Sequence, residues 1–136
     1  MANEVTKITL LGNAGDPVEY TVDDTIAVPK GTIMKYGSSP QTAVAATTTS
    51  LIAGIASCEK KADDGVTKLA LWTHGEFKIA ATAATGSMTL GRPVKITGPN
   101  TVAPSDAVTI EQASENFGFA LETVAGGASG VVLVNI

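Results

Sequence analysis

Trp72 and His74 are the only tryptophan and the only histidine of this chain. They stand two residues apart in KLALWTHGEFKI, Lys68 to Ile79, with Glu76 two residues further on. On a strand that spacing puts all three side chains on one face. A histidine beside a carboxylate can act as a base and its orienter, but the pair still needs a nucleophile. Thr73 points to the opposite face, and Cys58, the single cysteine, has no evident base. The triplet therefore reads as a contact face, and the chain is expected not to be an enzyme. Paired carboxylates occur at Asp23-Asp24 and Asp63-Asp64. Both lie at turn positions, where Asp is favoured by local hydrogen bonding. Loose surface binding of Ca²⁺ is the alternative use. No EF-hand spacing and no Cys/His cluster accompanies them, so no metal and no cofactor is expected. P-loop chemistry is excluded, because no Gly-Lys dipeptide occurs and Lys30-Gly31-Thr32 has the residues in the wrong order.

The element that carries the triplet is legible from parity. Leu69, Leu71, Phe77 and Ile79 are odd-numbered; Lys68, Ala70, Trp72, His74, Glu76 and Lys78 are even. Strict alternation over this length predicts one long half-buried strand with its odd face on the core. A tryptophan on the charged face is then the informative exception, since large aromatics go inside or into interfaces. Gly75 is a place where a bulge would flip the parity.

Composition narrows the classes further. The 136 residues suffice for one domain with a real core. Charged residues are 16% and aromatics 4%, so the core must be aliphatic and the surface rich in Thr, Ser, Gly and Ala. The net charge of −4 and the absence of Lys/Arg runs exclude a nucleic-acid footprint. One cysteine excludes an intramolecular disulfide and is expected to be small and partly buried. No apolar run reaches membrane-span length, and MANEVTKI lacks the pattern of a signal peptide, so cytoplasmic synthesis is the expectation.

Strand signals dominate the chain: residues 5–11, 17–22, 25–28, 29–37, 51–61, 92–98, 117–124 and 131–136, with Gly, Pro and Asp turns between them. Asp64-Gly65 is a hairpin signal. The Ala/Thr segment 41–50 reads as a flexible loop or irregular strand, with a short helix as the lesser option. Residues 105–114 are ambiguous between a strand and a short helix capped at Ser105-Asp106. The fold class is therefore all-β with at most one short helix, a single small barrel or sandwich. An internal repeat is also visible. GTIMKYG resembles GRPVKITG, and AGIASCEKKADDGVTKLAL resembles FGFALETVAGGASGVVLV, setting Gly31 against Gly91, Gly54 against Gly118 and Gly65 against Gly130. The copies lie roughly sixty residues apart, about 29–80 and 89–136. Two such units can close one barrel around a shared core. Residues 1–16 read as an N-terminal arm or first strand, and 17–136 as one β domain. Within the arm Ala2, Asn3, Glu4, Val5 and Thr6 can add to a neighbour's sheet edge; an ordinary frayed first strand is the other reading.

The order KGTIMKYG, LIAGIASCEKKADDG, VTKLALWTHGEFKI, LGRPVKITG and ENFGFALETVAGGASGVVLVNI resembles tailed-phage capsid cement proteins, also called head decoration proteins. Gly31 to Ile79 is similar to the lambda type, and the C-terminal part looks like the broader small cement family. The likeness covers roughly residues 17 to 136 and is carried by glycines and apolar positions. It implies a β-tulip or barrel-like fold and a structural role. It implies homotrimers, with dimers as the lesser option, seated on the major capsid protein at the outer surface of the mature, expanded head. An N-terminal arm would touch the shell. The added C-terminal unit departs from the lambda type. Under this reading the contact residues are Ala2, Asn3, Glu4, Val5, Thr6, Trp72, His74 and Glu76, and neither nucleic acid nor membrane is a partner. Two other classes stay open: a carbohydrate-binding β module on a virion or cell surface, with Trp72, Tyr20 and Tyr36 as its aromatics, and a small oligomeric β-barrel enzyme.

Overall fold

A computed structural model describes residues 5–8, 17–82, 87–106 and 109–136. The strands are β1 (Thr6–Ile8), β2 (Val18–Thr21), β3 (Ile33–Tyr36), β4 (Ala43–Ala45), β5 (Ile52–Ala56), β6 (Lys68–Trp72), β7 (His74–Ala81), β8 (Pro93–Gly98), β9 (Thr101–Pro104), β10 (Gly118–Ala120) and β11 (Ser129–Asn135). One helix, α1 (Ile110–Ser114), interrupts them. The protein is all-β apart from this turn of helix, as its alternation demands.

Two sheets share the strands. In one the order is β1-β7-β11-β10-β8-β9, and β9 returns to pair in parallel with β7 through Ala80–Thr101 and Ala81–Val102. That return closes β7, β11, β10, β8 and β9 into a five-stranded barrel, which removes their free edges. The other sheet runs β2-β6-β5-β3-β4. A parallel bridge between Thr21 and Thr42, and the Thr21 N–H bonded to Gln41 O at 2.7 Å, draw its two ends together.

The two sheets repeat one plan. β2 to β6 match β7 to β11 in order, and a parallel contact follows a Pro-Gln-Thr turn in the first unit, as an isolated bridge, and a Pro-Asn-Thr turn in the second, as the ladder that closes the barrel. Gln41 and Asn100, the middle residues of those turns, share φ values of 53° and 52°. An isolated bridge Val28–Lys60 in the first unit is matched by Met88–Val124 in the second. Gly31 and Gly91 are equivalent, with φ of 82° and 81°, and Gly54 and Gly118 are both buried at the middle and the start of β5 and β10. Gly65 is not the partner of Gly130. Counting from the Lys60 and Val124 bridges, Asp63 (φ 55°) takes the left-handed place that Gly127 (φ 84°) takes in the second unit.

Each unit curls on itself, and the two share a core. Val22, Val28, Met34, Ala43, Ala53, Ala56, Leu69 and Leu71 fill the first unit. The other face of its sheet, with Ile33, Ile52 and Ile55, joins Phe77, Ile79, Met88, Val94, Ile96, Val102, Val132 and Val134 of the second. Asn100 ties the halves: its buried side-chain carbonyl accepts the Ile33 N–H at 2.8 Å.

Four local expectations change. Residues 68–79 are two strands, because the chain passes from one sheet to the other at Thr73; the odd positions other than Thr73 stay buried. Gly75 makes no bulge and pairs with Val134 in unbroken register. Residues 25–28 form a turn in which Asp23 Oδ1 accepts from the Thr25 N–H and hydroxyl, leaving only Val28 bridged. Cys58 is exposed, since β5 ends at Ala56 and the inward alternation ends with it. In the ambiguous stretch, α1 forms and is capped by Thr109, whose hydroxyl accepts the Gln112 N–H at 3.1 Å.

Candidate interaction surface

Trp72 ends β6 on the face away from Leu71 and leans onto the shared core. Its ring meets Phe77 at 5.8 Å between centroids, tilted 49°. The remaining face of the indole looks into a recess of about 220 Å³ lined by Val5, Thr6, Lys7, Lys30 and Trp72. Lys7 Nζ lies 4.4 Å from the ring centroid and Lys30 Nζ 5.7 Å. Both are cation–π distances. Partial burial holds the Lys7 ammonium below the usual lysine range.

β1 brings Lys7 there. It pairs antiparallel with β7, setting Thr6 opposite Lys78, Lys7 opposite Phe77 and Ile8 opposite Glu76. Val5 is buried in the shared core, and its N–H donates to Gly31 O at 3.1 Å. Gly31 is what lets the arm approach: a Cβ there would stand 2.2 Å from Val5 O. Within the described residues the arm thus adds to its own chain's sheet.

The expected contact residues therefore separate. Trp72, Val5 and Thr6 gather at one recess. Val5 faces inward, and Trp72 is half-buried. His74 is exposed on the outward face of β7, opposite Asn135, and Glu76 lies two residues along, opposite Leu133. Trp72 and His74 do not share a face as members of one strand, because the change of sheet at Thr73 comes between them. Among the described residues no hydrogen bond joins His74 to Glu76. Ala2, Asn3 and Glu4 lie outside the described residues.

Sequence reasoning missed three features. The first is the pair Lys7 and Lys30, which no spacing in the sequence connects. The second is an apolar patch on the barrel's outer wall: Leu90 is 62% exposed and Phe119 50%, with Leu121 also exposed. Phe119 lies across from Pro93 of β8 and Leu133 of β11. The third is Lys60, a fully buried lysine. Its ammonium donates to Asp24 O and Lys61 O, both at 2.8 Å, and to Asp64 Oδ1 at 3.3 Å. Asp24 Oδ1 stands 3.6 Å away. The two acidic pairs read from the sequence thus meet around an internal cation. Asp64 also accepts from the Val66 and Lys61 N–H groups, and these bonds, with Lys60, hold its carboxyl below the usual range. The Thr25 hydroxyl and N–H do the same for Asp23.

Comparison with solved structures finds this fold in a phage particle. The chain is similar to the N base of the head fibre gp8.5 of bacteriophage phi29, with a TM-score of 0.57 and 16% sequence identity. The match covers 86% of this chain and 92% of that one. At this identity the likeness is one of fold. No protein-family model and no curated protein matches the chain.

Proposed function

We infer that this chain is a structural protein of a phage head, a decoration or cement protein that binds the outside of the mature capsid and stabilises it. The observation that carries the reading is the likeness of nearly the whole chain to the base of a phage head fibre. The sequence resemblance to capsid cement proteins rests on different ground, local glycine and apolar patterns, and points to the same particle. Such a role needs no catalytic residue; the protein is not an enzyme and takes no cofactor. Its partners are the major capsid protein and copies of itself, a homotrimer ahead of a dimer, with no nucleic acid and no membrane. It is made in the host cytoplasm and ends on the outer surface of the virion.

The surface is suited to this. Leu90, Phe119 and Leu121 offer an apolar contact patch on a closed, rigid barrel. A standard interface buries on the order of 1,600 Å², and repetition over many sites on a shell multiplies a modest affinity. A second reading has its own support: the neighbour is the base of a fibre, so this chain would anchor a projecting appendage.

The test is a phage lacking the gene. Its heads are expected to release DNA at a lower temperature than complete heads, and added purified protein restores them. Heads that keep full heat resistance but lose a projecting fibre would support the anchoring reading. Virions that never contain the protein would overturn both.

A further inference from the structure

We propose that the recess between β1 and Trp72 is a binding site for a carboxylate, presented by an acidic segment of a partner protein. Only the identity of the partner, the phage shell, rests on the function inferred above; the chemistry of the site stands on its own geometry.

Three observations carry it. Two ammonium groups, Lys7 and Lys30, converge on one indole at 4.4 and 5.7 Å from its centroid. Among the described residues neither has a carboxylate partner, in a chain whose net charge is −4. The ring's quadrupole attracts each ammonium but carries no net charge, so the two positive charges stay uncompensated. An anion seated between them removes that repulsion. The recess, about 220 Å³, has room for a carboxylate and the carbon stem that carries it, with Val5 and Trp72 as apolar wall and Thr6 as a polar one.

The fold itself does not require this arrangement. In the second unit the place of Lys30, one residue before the left-handed glycine, is taken by Leu90. The place of Trp72 is taken by Leu133, since Ile55 pairs with Trp72 as Phe119 pairs with Leu133. The same scaffold is thus built without the cations and without the indole. Two lysines in an acidic chain are too few to follow a nucleic-acid backbone, which calls for a longer basic track. A single carboxylate matches the charge and the size.

Trp72 is the only tryptophan, so its fluorescence reports the site directly. The full-length protein is titrated with a capped tri-glutamate peptide and with its tri-glutamine counterpart. The expected result is a saturable change in emission with the acidic peptide alone. Lys7→Gln and Lys30→Gln each weaken it by about tenfold, the scale of one lost charge-assisted hydrogen bond. Lys30 is exposed, and an unchanged denaturation midpoint confirms that its variant folds. An equal response to the glutamine peptide overturns the proposal. So does unaltered affinity in the Lys7→Gln/Lys30→Gln double variant, or tighter saturable binding of a single-stranded oligonucleotide at the same lysines. Head binding is measured alongside. Peptide binding without head binding overturns the head function and leaves the site. A Lys30→Gln variant that loses the peptide yet binds heads normally overturns the site's role in head contact.

Discussion

Gly31→Ala and Gly91→Ala are the same change at equivalent turns, and they should have very different consequences. Both glycines are left-handed, with φ of 82° and 81°. An alanine in that region costs about 1–2 kcal/mol. At Gly91 that is the whole effect, because an added Cβ meets nothing within 4 Å. At Gly31 the Cβ would stand 2.2 Å from Val5 O, which is backbone and cannot rotate away. The arm must lift. It then loses the Val5 N–H bond to Gly31 O, about 1 kcal/mol, and the burial of Val5, about 2 kcal/mol. The expected losses are therefore about 1–2 kcal/mol for Gly91→Ala and about 4–5 kcal/mol for Gly31→Ala, the latter a large share of a typical domain's stability. Urea denaturation with a check on the slope measures both. Lifting the arm also takes Val5 and Lys7 off the indole, so Trp72 emission should shift to the red in Gly31→Ala only. Equal losses with unmoved emission in both variants would refute the docking of β1 onto Gly31.

Three further outcomes are expected. Lys60→Met should destabilise the protein by about 2–4 kcal/mol in chemical denaturation, because the Asp24 and Lys61 carbonyls lose their donor; a neutral result would show that water replaces the ammonium. Asp64 and Asp23 have folded pKa values below the ordinary 3.8, so their stabilisation is fully present above pH 3.8 and is lost as pH falls through the folded values. The thermal midpoint should therefore drop in that acid window, and less steeply for Asp64→Asn. Phe119→Ser should cost the monomer only about 1 kcal/mol, half of a full Phe burial, while lowering the mass in light scattering if copies associate through it; unchanged mass would remove the outer patch from self-association.

What the sequence made legible, and what it hid, follows from how strands bury side chains. The odd positions of residues 68–79 other than Thr73 are buried as alternation requires, yet alternation passes through Thr73 without a mark, so the change of sheet was invisible. Trp72 consequently leans on Phe77, and a Trp72→Ala variant loses core packing as well as contact surface. Removing residues through Thr6 likewise takes Val5 from the core. The repeat was legible at Gly31/Gly91 and Gly54/Gly118, where both copies keep glycine. It slipped at Gly65, because the left-handed residue of the first copy is Asp63. Phe119 was hidden for the opposite reason. β10 turns its small residues inward, since Leu133 O would lie 2.4 Å from any Cβ on Gly118, and so Phe119 faces out. Lys60 reads as a surface lysine until the chain fold brings Asp24 and Asp64 to it. The signal that could have found it was two acidic turns without a metal-binding pattern.

The most direct measurement is co-sedimentation of the purified protein with expanded and unexpanded phage heads. Saturable binding to expanded heads, with little to unexpanded ones, is the predicted result. Binding to neither would contradict the account and leave a β protein whose partner lies elsewhere.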